Sequence, residues 1–154
     1  MSAVMEPVES RHCDRTGWER GEWDHEPDRI EWRSNGFACL INRGQSGALC
    51  GYVGVQPGHP WYGQDENDVD VPDDVHGGLT YSGPCQEGGH ICHVPLPGEP
   101  ETVWWLGFEC ADGCDVMPRY GYRERGEWYS SYRDVGYVRH EVESLVRQAM
   151  EAAA

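Results

Sequence analysis

With 154 residues and a formal charge of −15, from 27 acidic against 12 basic side chains, the chain fits one domain whose net field repels bare duplex DNA. It has no run of about 18 apolar residues, so no membrane-spanning helix is predicted. The seven cysteines are odd in number and cannot all pair.

Residues 1–28 are polar and hold Trp18 and Trp23 between glycines. This segment is predicted to be loose until the tryptophans tie it down, ahead of a single domain over 29–154. The first fifteen residues lack an apolar core of signal-peptide length, so a cytoplasmic setting is expected. There the cysteines would be reduced, acting as packing residues or metal ligands.

Ile30 to Arg33 reads as a short strand. Phe37–Ile41 and Leu49–Val55 read as two strands joined through Arg43-Gly44-Gln45-Ser46-Gly47, a hairpin loop by composition and length. Period two places Phe37, Cys39 and Ile41 on one face, which makes Cys39 a core residue, and places Cys50 with Tyr52. Gln56 to Asp74 is a long loop ending in an acidic run; it lacks the glycine turn and closing Glu of an EF-hand. Leu79–Ser82, Ile91–Val94 and Thr102–Cys110 are predicted strands. In the last, large groups on both faces indicate a central position. Ala111 to Trp128 is loop by its Gly, Asp and Pro content, and Arg20-Gly21-Glu22-Trp23 recurs as Arg125-Gly126-Glu127-Trp128.

The C-terminal stretch is the clear helix. Val135, Val138, Val142, Leu145 and Ala149 follow a 3.6-residue stripe. Ser131 with Asp134 resembles a capping box, and Glu143 with Arg147 forms an i,i+4 pair. The fold class predicted is α+β: a mostly antiparallel sheet with a C-terminal amphipathic helix and long loops.

No phosphate-binding P-loop, G-x-S-x-G elbow, H-E-x-x-H or zinc-deaminase signature is present. Metal chemistry is the remaining candidate. Zinc takes four N or S ligands, often in short chelating spacings. Cys85, His90, Cys92, Cys110 and Cys114 supply such donors, and zinc is the cofactor they would hold. If Ile91–Val94 is a strand, Cys92 and His93 face opposite ways and cannot both ligate. A second constellation, His59, His76, Asp112 and Asp115, lies on Gly- or Pro-flanked loops and could activate a water. Gly77 and Gly78, with Thr80 and Tyr81, could form a small-ligand pocket. His59, His76, Tyr62 and Trp105 complete the ligand-binding set, the tryptophan as a stacking wall. Solvated loop histidines and core tryptophans are the plain alternatives.

At these residues the chain resembles a family of small, largely uncharacterised proteins of actinobacterial phages and prophages. The resemblance rests on Gly51-Tyr52-Val53-Gly54-Val55 with Gly58-His59-Pro60, and on Val75-His76-Gly77-Gly78-Leu79-Thr80-Tyr81. It continues in Ile91-Cys92-His93-Val94-Pro95, in Trp104-Trp105-Leu106-Gly107-Phe108-Glu109-Cys110-Ala111, and in Tyr137-Val138 leading to Glu141 and Glu143. The family pattern after the tryptophans runs G-F-D-C-A-H-x-G-D. Here Glu109 replaces the Asp, Asp112 stands at the His and Cys114 at the Gly, while Cys110 and Asp115 remain. The resemblance implies a phage context and a mobile-element role, without a mechanism.

Three functions are expected to compete. One is an accessory protein that binds a small polar, nucleotide-like ligand or a host protein in host takeover or counter-defence. Another is a metal-dependent hydrolase of a nucleotide-like substrate, using His59, His76, Asp112 and Asp115. The third is an acidic decoy for a nucleic-acid-binding protein, acting through the Asp65 to Asp74 face.

Overall fold

The computed structural model describes residues 6–86, 89–111, 115–121 and 131–154. Six strands form one antiparallel sheet: β1 (Val8–Ser10), β2 (Arg29–Ser34), β3 (Phe37–Arg43), β4 (Leu49–Val55), β5 (Tyr81–Pro84) and β6 (Trp104–Glu109), in the order β1-β2-β3-β4-β6-β5. One helix, α1 (Val135–Ala153), lies against β3 and β4. The α+β class read from periodicity is the class observed.

Alternation along the strands makes two cores. Under the helix, Ile30, Trp32, Cys39, Ile41, Val53, Leu106 and Phe108 meet Val138, Val142, Leu145 and Ala149. On the opposite face Ala38, Leu40, Tyr52, Val103 and Trp105 are covered by Tyr81, Cys85 and Ile91. Cys39 is fully buried, as its period-two position requires. The helix approaches closely because Gly51 has no side chain. A Cβ there would lie 2.6 Å from the Phe108 ring and 2.7 Å from Val142 Cγ2.

Two details of the helix differ from expectation. The N-cap is Asp134 itself, whose Oδ1 accepts from the Tyr137 N–H at 2.8 Å. Ser131 is instead bridged to Asp115; Asp caps as well as Ser, and its negative charge also suits the positive end of the helix dipole. Glu143 leaves Arg147 and accepts from Trp32 Nε1 at 3.0 Å and Ser34 Oγ at 2.5 Å. Arg147 pairs with Asp73 and Glu151. Buried donors from the sheet outcompete an exposed pair of small worth.

The predicted strand at Ile91–Val94 does not form; this segment is coil. Pro95 and Pro97 follow it and Gly89 precedes it, which removes ladder donors and stiffness. The N-terminal arm is fastened at two points. Trp23 is fully buried in a 3-10 turn over Glu22–His25. Asp28, also fully buried, accepts from the His12 and Cys13 N–H groups at 2.8 and 2.9 Å, from Arg15 at 2.6 Å and from Arg43 at 2.9 Å. Burial by itself would raise its pKa, but these donors outweigh it and hold the pKa at about 2.

Candidate functional site

The predicted ligand-binding set is divided by the sheet. His59 sits at the C-terminal end of α1, where Nε2 donates to the Ala149 carbonyl at 2.8 Å and Nδ1 accepts from the Trp61 N–H at 3.0 Å. His76 sits at the other end, 2.7 Å from the Tyr137 hydroxyl. Tyr137 and Ala149 are twelve residues apart, about 18 Å along the helix axis. Tyr62 packs near Trp104 on the helix side. Tyr81 and Trp105 lie on the opposite face, and Trp105 is fully buried. Thr80 is exposed, its N–H bonded to the Gly107 carbonyl. Gly77 and Gly78 adopt φ of 69° and 77°, a turn conformation that admits them for steric reasons.

The group around His76 is a clasp. Its Nε2 lies 2.7 Å from Asp115 Oδ2, and Asp115 Oδ1 accepts from Arg133 Nε at 3.1 Å. Asp115 is fully buried. With Nε2 donating to the carboxylate and Nδ1 facing the tyrosine hydroxyl, both ring nitrogens are engaged by the protein. Cys110 is buried beside this group, and burial followed by the Asp115 charge pushes its thiol up strongly, so it stays protonated. The geometry locks two loops to the start of α1. Asp112 and Cys114 fall outside the described residues.

The metal donors converge elsewhere. Cys85, Cys92 and His93 bring their ligand atoms within 4.8 Å of one another, and this group can hold a metal ion. His90 does not join them; its ring stacks on His12 at 3.8 Å. Cys110 lies under the helix, on the far side of the sheet. The substitution of His93 for His90 follows from the missing strand: in coil, adjacent residues are not forced to opposite faces.

Cys85 directly follows β5, and Cys92 and His93 follow a loop closed by the Gln86 N–H on the Ile91 carbonyl at 3.0 Å. Cys85 Sγ and His93 Nδ1 are 3.6 Å apart. For Zn–S of about 2.3 Å and Zn–N of about 2.05 Å, the S···N edge of a tetrahedron is about 3.6 Å. Trp105 supports both ligands: its indole N–H donates to Cys85 Sγ at 3.2 Å, and its ring meets His93 edge-on at 5.9 Å. Burial and the neighbouring Arg33 charge lower the basicity of His93, which favours the neutral imidazole that metals bind. Burial and contact with Cys85 push the Cys92 thiol up to about 11.

A ladder of charged residues on β2 holds the loop that carries Cys92 and His93. Period two puts Arg29, Glu31 and Arg33 on the face opposite Ile30 and Trp32. Arg29 donates to the His90 carbonyl at 3.0 Å and the Cys92 carbonyl at 2.5 Å; Arg33 donates to the Val94 carbonyl at 2.8 Å. Glu31, 2% exposed, accepts from both arginines and from the Val94 N–H at 3.1 Å. Glu99 pairs with Arg33 at 3.0 Å and accepts the Leu96 N–H at 2.7 Å. Sequence reasoning passed over this ladder, although Arg29-x-Glu31-x-Arg33 within a strand is its legible signal.

Compared with known protein families, curated proteins and solved structures, the chain matches none.

Proposed function

We propose that the protein is a zinc-stabilised binding module, in which zinc on Cys85, Cys92 and His93 fixes the 85–99 loop over the second core. The observation that carries this reading is the 3.6 Å spacing of Cys85 Sγ and His93 Nδ1 in a loop braced by buried charges. Three protein donors leave a fourth position for water or an incoming group. The carboxylates of the ladder, Glu31 and Glu99, are committed to Arg29 and Arg33, so neither stands ready as a base. The His76 and Asp115 pair lies across the sheet. Both facts favour structural support over hydrolysis, and an accessory binding role agrees with the phage resemblance.

Elemental analysis and native mass spectrometry of protein purified under reducing conditions test this. One zinc per chain is expected, lost in Cys85→Ser and Cys92→Ser and kept in Cys110→Ser. Cobalt replacement should give thiolate-to-metal charge transfer and tetrahedral ligand-field bands. Reduced, folded protein that fails to take up zinc or cobalt would remove the proposal.

A further inference from the structure

We propose that the cleft between the N-terminal arm and the β3–β4 turn binds a nucleoside phosphate. This cleft of about 560 Å³ lies outside both the metal group and the His76 clasp. Its volume falls within the range of about 300–1,000 Å³ usual for small-ligand sites. A second lobe shares Asp14, Trp18, Gln45 and Arg119 with it.

The charge pattern points to an anion. Arg119 is anchored by its N–H on the Ser46 carbonyl at 3.0 Å, while its exposed side chain meets no carboxylate among the described residues. Every other described arginine meets a carboxylate, a backbone carbonyl or an aromatic ring. In a chain with 27 acids, an exposed guanidinium at a cleft with no carboxylate partner among the described residues is a charge offered to a ligand. A guanidinium is well matched to phosphate oxygens.

The remaining walls suit a nucleoside. Trp18 is partly exposed and borders both lobes, giving a flat surface for a ring. Asp14 accepts from the Thr16 N–H at 2.9 Å and from the Thr16 side chain, and its exposed carboxylate keeps lone pairs to accept from hydroxyls. Asn42 uses Oδ1 on His12 Nε2 at 2.9 Å, leaving its amide N–H groups to donate. The cleft is preformed, because Asp28 ties the His12 and Cys13 backbone while bonding Arg43 at the root of the turn. The net charge of −15 acts against polyanions, so a single small phosphate held by local contacts fits better than a nucleic acid.

The test uses the whole 154-residue chain purified under reducing conditions. Adenosine, guanosine, cytidine and uridine monophosphates are titrated by calorimetry and by the Trp18 indole N–H resonance. Adenosine and inorganic phosphate serve as part-probes. Saturable binding of at least one nucleotide is expected, weakened about tenfold or more in Arg119→Ala at unchanged melting temperature. Trp18→Phe should keep the fold and reduce binding less than Trp18→Ala. Adenosine should bind more weakly and without dependence on Arg119. No saturation up to about 1 mM, or binding indifferent to Arg119, overturns the proposal. Phosphate binding as well as the nucleotides overturns the nucleoside half of it.

Discussion

The indole N–H of Trp105 donates to Sγ of Cys85 at 3.2 Å, which couples the fully buried tryptophan of β6 to the group formed by Cys85, Cys92 and His93. A thiolate that accepts such a bond is oriented as well as stabilised. Trp105→Phe keeps most of the bulk and removes the donor. Zinc affinity, measured by chelator competition, should fall about 10–100-fold. Unchanged affinity would show that the bond does not support the metal.

Glu31 is the keystone of the β2 ladder. It is held between Arg29 and Arg33 and receives the Val94 N–H. Glu31→Gln leaves buried guanidinium charge only partly compensated. Urea denaturation should report a loss of about 3–5 kcal/mol, with weaker zinc binding alongside. A change under about 1 kcal/mol would mean that the loop is held by other contacts.

Asp28 makes the N-terminal arm acid-sensitive. Its pKa in the folded protein is lowered from 3.8 to about 2. The stabilisation is therefore complete above about pH 4 and is lost as pH falls toward about 2. It amounts to about 2 kcal/mol, and Asp28→Asn should remove that part of the acid slope. Fluorescence of buried Trp23 follows the arm directly; the same acid midpoint in the variant would contradict the assignment.

His59 and His76 are expected to act on stability and leave the metal alone. His59→Ala removes the tie between the Ala149 carbonyl and the Trp61 N–H, at a cost of about 1–3 kcal/mol. His76→Ala takes one partner from buried Asp115 and should cost at least as much. Both variants should keep full zinc content. Zinc loss from either one, in folded protein, would mean that the two faces of the sheet are not independent.

β2, β3, β4, β6, the helix and the fold class were legible in the sequence because local periodicity decides them; the three-residue β1 was not, and Ile91–Val94, read as a strand, is coil. The Val138, Val142, Leu145 and Ala149 stripe needs an apolar surface to bury against, and the alternation around Cys39 and Leu106 supplies a two-faced sheet for it. The Asp134 cap was one turn from its expected reading, since two short acceptors compete there and only the folded loop settles which one is used. Cys85 and Cys92 were readable as donors, but their third partner depended on whether Ile91–Val94 extends. Pro95, Pro97 and the β2 ladder hold that segment as coil, which turns His93 to Cys85 and sends His90 to His12.

His59 and His76 carry the same chemistry in similar glycine-flanked loops. Tertiary structure alone sets them at opposite ends of one helix. The cleft beside Arg119 was invisible for the same reason. Its walls come from residues 12–14, 18, 42–45, 90 and 119, which share no local pattern. They meet because Asp28 closes the N-terminal arm over the β3–β4 turn. Residue type and spacing determined the elements and the available donors. Long-range hydrogen bonds from a few buried charges decided which donors face one another.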